Sequence, residues 1–285
     1  MQPQNTTNME YHDMAQRWGF DGGPKFLCTH VIFRDGDDYF SAKLPERITR
    51  PEDLPIVDRS SLEKIPREHI WPLFEDNFTI CPKPKSPGVY IKQPRLTGYR
   101  GSDSLSLYLL EEARICQILI ENPHKNIARY LGCVVKAGRI TGLCFEKYTE
   151  TLADRLRNGH TGDNESYLRQ VKAGINHLHA LNIVHNDIHL DNVMFADQDS
   201  DVPIIIDFDS CAIRGSLLPA KRGQLPEGAS TAEFENDDYG LRILQEGLDR
   251  RKYPKGTIQK ISRYLQVGFT APFRYLGDLL KRKMH

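Results

Sequence analysis

Asp187, Asn192 and Asp207 form the most chemically pointed pattern in the sequence. Asp187 and Asn192 stand five residues apart in the polar stretch HNDIHLDN, and Asp207 ends the β-branched run Ile204–Ile206, twenty residues after Asp187. Two carboxylates and an amide oxygen presented on loops at strand ends suit a hard cation such as Mg2+, with phosphate oxygens completing its shell. The same region holds His177, His179, His185 and His189, which with Asp187 offer a rival zinc set. His177 and His179 close an amphipathic helical segment and project roughly 200° apart at about 100° per residue. No H-E-x-x-H and no C-x-x-C accompanies them, so the oxygen set is the stronger reading.

H-x-D-x-x-x-x-N followed by an apolar strand ending in D-F resembles the catalytic loop and metal-binding turn of the protein-kinase-like superfamily. The loop type HND…N and the turn DFDSC are most similar to kinase-like proteins common in fungi. The resemblance spans about residues 70–250. It implies an α+β bilobal fold, with a small antiparallel sheet lobe carrying one main helix and a mainly α-helical, shortened large lobe. It also implies ATP and Mg2+ as cofactors and a hydroxyl-bearing acceptor, protein or metabolite.

The resemblance assigns roles position by position. Asp187 would accept or orient the proton of the attacking hydroxyl, and Asn192 and Asp207 would hold Mg2+ against the ATP phosphates. Val89, Tyr90, Ile91 and Lys92 resemble V-A-I-K, making Lys92 the cation on the α and β phosphates and Glu112 its helical partner, with Glu111 the adjacent alternative. Phe145, Glu146, Lys147 and Tyr148 fall where kinases place the hinge, so backbone groups of Glu146 and Tyr148 would face adenine. Asp237, or Asp238 one register on, would brace the catalytic loop from a helix; His185 and Phe208 read as packed residues. An isolated Lys–Glu pair is more often a surface ion pair, but five positions in the family's order outweigh that reading.

Departures sharpen the expectation. No G-x-G-x-x-G precedes Lys92, only Gly88, whereas kinases cover the phosphates with backbone N–H groups of such a loop. Tyr90 replaces the small residue that lies against adenine. Both features favour a pseudokinase, a nucleotide-binding or protein-interaction module, as the alternative to an enzyme. Asn186 replaces the Arg that receives an activation-loop phosphate. Asp209 stands where D-F-G has Gly, limiting the turn's freedom to flip. His189 replaces the Lys of Ser/Thr kinases and matches the H-x-D-x-H of loops resembling aminoglycoside and choline phosphotransferases, which raises the case for a metabolite acceptor. Pro226 and Glu227 weakly echo A-P-E.

Several elements must position these groups. Residues 25–44 read as two strands about an Asp35-Gly36 turn, after a polar lead-in of 24 residues, and Arg47–Pro66 reads as a linker. FTICPKPKSPGVYIKQP reads as a hairpin ending in Val89–Lys92. Residues 104–120 carry helical spacing, and ARYLGCVVK and RITGLCFEKY pair through a turn at Gly138. ESYLRQVKAGINHLHALN, FENDDYGLRILQEGLDR and TIQKISRYLQVGF carry amphipathic helical patterns. The resulting division is an N-terminal extension over 1–69, a small lobe over 70–148 and a large lobe over 149–285. Only 48 residues follow Asp237, so the large lobe is expected to be trimmed.

Composition limits the partners. Across 285 residues, 38 Lys+Arg balance 38 Asp+Glu, leaving little general attraction for nucleic acid or an anionic membrane. No apolar run reaches the roughly 18 residues of a membrane span, and the polar start lacks a secretory pattern. The six cysteines form no framework and are expected to be reduced and mostly buried. An intracellular protein, cytoplasmic or nuclear, is therefore expected, with its oligomeric state open.

Overall fold

A computed structural model describes residues 9–19, 23–159 and 162–249. Its described residues fall into two compact units, one running to Arg67 and including Arg95–Gly101, the other made of Glu68–Pro94 and the chain from Ser102. The helical pattern TIQKISRYLQVGF lies outside the described residues.

The first unit is an antiparallel sheet of β1 (Glu10–Gly19), β2 (Lys25–Asp35), β3 (Asp38–Leu44) and β4 (Glu63–Ile65), paired in that order. The polar lead-in therefore includes a strand, and the supposed linker adds a short one. Neither alternates cleanly between polar and apolar residues, so the period-2 signal that marks a half-buried strand is weak there. The hairpin joining β2 and β3 forms, with Asp35 paired to Asp38 and Gly36 at φ 59°. The turn thus sits one residue beyond the Asp35-Gly36 expectation.

A polar cluster is buried in this unit. The Arg17 guanidinium lies 2.6 Å from His30 Nδ1 and donates to the Tyr99 carbonyl at 2.7 Å. The same Nδ1 lies 3.0 Å from the Thr97 carbonyl, so it accepts from Arg17 or donates to Thr97 according to the tautomer. Burial first, then Arg17, lowers the His30 pKa to about 4. A histidine whose folded pKa is depressed contributes stability that is complete above about pH 6.5 and lost as pH falls toward 4. Thermal unfolding followed between pH 7.5 and 4.5 should therefore reveal an acid-dependent loss of up to about 3 kcal/mol. His30→Gln should flatten that slope, and an unchanged slope would refute the assignment.

The second unit begins at Glu68, inside the helical turn α1 (Arg67–Ile70), and holds a sheet whose strand order is β5 (Val89–Lys92), β7 (Arg139–Glu146), β6 (Tyr130–Lys136). The β6–β7 hairpin turns through Ala137 and Gly138, both at positive φ, as a two-residue primed turn requires. The hairpin expected over 78–92 does not form. Pro82, Pro84 and Pro87 have no N–H for a ladder, and the preceding residues bond instead to β6, with Cys81 N–H donating to Cys133 O and Cys133 N–H to Thr79 O. Gly132, at φ 117°, permits that approach: a Cβ there would lie 2.6 Å from the Cys81 nitrogen.

Helix α2 (Ser104–Glu121) packs on this sheet through Leu109, Ala113, Cys116 and Leu119. The chain continues through β8 (Glu150–Thr151), α3 (Leu152–Arg157), α4 (Asn164–Ala180) and β9 (Ile183–Val184), then β10 (Val193–Phe195), β11 (Ile204–Ile205), β12 (Ala212–Ile213) and α5 (Phe234–Asp249). Helix α3, too short for periodicity to reveal, is set by the reciprocal cap of Thr151 and Asp154. One apolar cluster runs through the unit, joining Leu143 and Phe145 of the sheet to Val171, Ile175, Phe208 and Leu244. Buried Arg155 lies over the Phe195 ring and bonds Glu150 and the carbonyls of Asp197 and Ser200, which holds the turn between β10 and β11. The architecture is α+β and kinase-like. Among the described residues no helix is long and apolar enough to cross a membrane.

Candidate phosphotransfer site

Alternation along β5 puts Tyr90 and Lys92 on one face and Ile91 on the other. Tyr90 is half-exposed. The Lys92 ammonium meets Glu112 Oε1 at 2.7 Å and Asp209 Oδ2 at 3.0 Å, and also bonds Asp207. Glu112 is buried because it shares the α2 face of Leu109, Ala113 and Cys116, whereas Glu111 turns outward to pair with Arg114 at 2.7 Å. Burial pushes the Glu112 carboxyl up to about 7 against the pull of Lys92. Burial also opposes the charge on Lys92, but the surrounding carboxylates outweigh it and raise its pKa. For Asp207, Lys92 and Lys221 overcome burial and hold the carboxyl well below its ordinary range.

Asp207 follows β11 in a left-handed conformation, φ 68°, an unusual backbone state for a non-glycine residue. The next residue anchors it. Phe208 is fully buried, with its ring between Phe145 and His185 at centroid distances of 6.1 Å to each. Beyond it, Asp209 turns back to the same two cations as Asp207: Lys221 Nζ lies 2.8 Å from Asp207 Oδ2 and 2.6 Å from Asp209 Oδ2.

The loop carrying Asp187 is held from three sides. Asp237 in α5 accepts the backbone N–H groups of His185 at 2.9 Å and Asn186 at 2.8 Å and bonds His179 at 2.9 Å, while Asp238 is exposed. Asn186, at φ 60°, donates to the Ser210 carbonyl and accepts from Asn236, tying loop, turn and helix together. Asn192 Nδ2 donates to Asp187 O at 2.9 Å and Oδ2 at 3.1 Å, which leaves its amide oxygen as the atom for a cation. His189 Nε2 lies 3.4 Å from Asp187 Oδ1. Burial alone would raise Asp187, but His189 outweighs it and the carboxyl is lowered; the reciprocal balance raises His189.

The imidazoles of the rival zinc set go to separate partners: His177 to the Asn122 carbonyl, His179 to Asp237, His185 to the Ile206 carbonyl and His189 to Asp187. No group of three His, Cys, Asp or Glu that could hold a metal is found among the described residues. At the other end of the sheet, Phe145 is buried against Tyr130, the Glu146 N–H is committed to the Arg129 carbonyl and the Lys147 N–H to that of Gly88. The Tyr148 hydroxyl accepts from Arg129 N.

The arrangement concentrates two ammonium groups on two carboxylates, while a third carboxylate, Asp187, is held by Asn192 and faced by His189. The Asp207 and Asp209 carboxylates, bridged by Lys221, match Mg2+ in charge and donor type, and the Asn192 backbone carbonyl is tied to the Ile206 N–H just before Asp207. Of the residues expected from sequence, the structure joins Glu112, Lys92 and Asp207 by ion pairs and Asn192 to Asp187 by a hydrogen bond, the two groups lying near each other where the Ile206 N–H donates to the Asn192 carbonyl. Sequence reasoning missed Lys221, fourteen residues beyond Asp207 in an aperiodic segment that offers no signal. It also read Asp209 and Asn186 only as departures. Asn at a left-handed position was the one available hint of the tie that Asn186 makes.

A family model described as the protein kinase domain matches residues 99–219. A curated relative, the striated muscle preferentially expressed protein kinase of Danio rerio, is 33% identical over 94 residues, which are 32% of this chain. The chain spans about 3% of the length of that relative. The matched segment contains Glu112, the Asp187 loop and Asp207, and the element order around them is that of an α+β kinase-like unit; over residues 99–219 the chain is similar to the protein kinase domain.

Proposed function

We propose that the chain is a Mg-ATP-dependent phosphotransferase that moves the γ-phosphoryl group to a hydroxyl acceptor. The observation that carries this reading is the unbroken cluster Glu112–Lys92–Asp207 beside the Asn192–Asp187 pair. Transfer through a loose transition state needs positioning and charge neutralisation more than covalent help. Lys92, held by Glu112, neutralises the α and β phosphates. Asp187 stays ionised beside His189 and takes or orients the acceptor proton. Asp207 and Asn192 hold Mg2+, which supplies neutralisation of the phosphate charge. Backbone groups of Glu146 and Tyr148 would face adenine, with Phe145 and Tyr90 paired across β7 and β5 beside them. His189 in place of a lysine favours a metabolite acceptor over a protein hydroxyl. Six free cysteines, most of them buried, suit a reducing intracellular compartment.

One observation favours a second reading, a pseudokinase that binds nucleotide or a protein partner: residues 71–88 hold no glycine-rich loop and none of the strands β1 to β12. Thermal stabilisation separates the two. At Mg-ATP concentrations far above its dissociation constant, binding to the native state should raise the melting temperature by roughly 5 °C. Asp207→Asn should abolish that rise. Labelled phosphate transferred to an aminoglycoside or choline-type acceptor identifies the enzyme, and stabilisation without any transfer identifies the pseudokinase. No stabilisation at millimolar Mg-ATP refutes the nucleotide site itself.

A further inference from the structure

The segment Pro219–Gly223 lies over the site in a way neither reading requires. Lys221 places its ammonium between Asp207 Oδ2 and Asp209 Oδ2, at 2.8 and 2.6 Å. Two residues on, the Gly223 N–H donates to the Asn186 carbonyl at 2.9 Å. There the Gly223 backbone presses on Asp187 so closely that a Cβ would lie 2.3 Å from Asp187 Oδ1 and 3.0 Å from its Cα. Between them Arg222 donates to the Pro219 carbonyl at 2.8 Å, folding the segment back on itself. One short strap thus touches both halves of the chemistry, the carboxylates meant for a cation and the carboxylate meant for the acceptor.

From this geometry we propose that the strap is autoinhibitory: Lys221 is a tethered cation that competes with the metal for Asp207 and Asp209, and Gly223 blocks the acceptor's approach to Asp187. This rests on the reading of Asp207 as the metal-holding carboxylate. Lys92 and Lys221 already crowd Asp207 and Asp209, so a divalent ion brought to the same carboxylates meets added repulsion from Lys221 and binds more tightly when Lys221 leaves. Van der Waals contact enforces the same exclusion at Asp187, because an acceptor oxygen needs the space that the Gly223 backbone fills. Apparent metal affinity is then reduced by the fraction of molecules whose strap is open. Asp209 gains a purpose: where the family pattern has glycine, this chain has the carboxylate that completes the clasp for Lys221. Glycine at 223 is likewise explained by contact, since a larger residue would stand off Asp187.

The competition is testable on the full chain with Mn2+ as the probe, read by electron paramagnetic resonance of free Mn2+ and by thermal stabilisation, with and without ATP. Lys221→Met removes the tethered charge and should lower the half-saturating Mn2+ concentration by about tenfold if nine molecules in ten are strapped shut. Lys221→Arg should keep the wild-type requirement. Gly223→Ala wedges the strap off Asp187 without altering charge and should shift Mn2+ binding in the same direction as Lys221→Met. Wild-type Mn2+ binding that neither Lys221→Met nor Gly223→Ala changes overturns the strap while leaving the metal site standing. Absence of Mn2+ binding in wild type and both variants instead overturns the metal site and the strap together. Binding restored only in the variants supports both.

Discussion

Asp187→Asn is expected to lower phosphoryl transfer by on the order of 10² to 10⁴-fold, the range supplied by a positioned general base, while leaving thermal stabilisation by Mg-ATP unchanged. The asparagine keeps the size and can still accept from Asn192 Nδ2 and face His189, so the loop geometry survives. What it lacks is the charge that takes up or orients a hydroxyl proton. His189 and the nearby cations keep the native carboxyl below its ordinary pKa despite burial, so wild-type Asp187 is ionised throughout the neutral range. Steady-state transfer and a melting curve, measured on one preparation, separate the two effects. Equal transfer rates for wild type and variant would remove Asp187 from the chemistry. Equal loss of transfer and of nucleotide stabilisation would make it a binding group.

Asp237→Ala should damage both folding and transfer. The carboxylate is fully buried and accepts two backbone N–H groups, from His185 and Asn186, along with a bond to His179. Truncation strands those donors away from water, at a cost of about 1 to 3 kcal/mol for each. A total of about 3 to 5 kcal/mol is in line with breaking a buried charged network and should lower the melting temperature by on the order of 10 °C. Because Asn186 directly precedes Asp187, the variant should also lower kcat in the fraction that remains folded, with less effect on stabilisation by Mg-ATP. Asp237→Asn retains one acceptor oxygen and should fall between. A melting temperature within a degree of wild type in Asp237→Ala would show that the loop is held by other means, with Asn186 and its bonds to Ser210 and Asn236 the alternative anchor.

The parts of the fold legible in the sequence are those set by neighbours along the chain. Helix α2, expected over 104–120, forms over Ser104–Glu121, and α4 and α5 lie within a residue or two of their periodic patterns. The β6–β7 hairpin follows from Ala137 and Gly138 in its turn. The elements that were misread are those whose pairing is decided at a distance. Strand β1 exists because β2 pairs with it, and residues 79–81 serve β6 rather than β5 because prolines remove the nearer ladder and Gly132 admits the farther one.

Within the candidate site the same division holds. Asp187, Asn192 and Asp207 were recognisable from spacing alone, because a loop and the strand end after it lie within 21 residues of chain and carry oxygen donors at fixed offsets. Glu112 against Glu111, and Asp237 against Asp238, were choices between adjacent helical positions. A one-residue step turns a side chain by about 100°, so which one faces inward depends on where the apolar face packs, and burial decided for Glu112 and Asp237. Lys221 and Gly223 belong to a stretch with no periodicity, and no local rule directs it anywhere. Only tertiary structure lays it across the Asp187 and Asp207 carboxylates, where opposite charge at Lys221 and the missing side chain at Gly223 hold it closed.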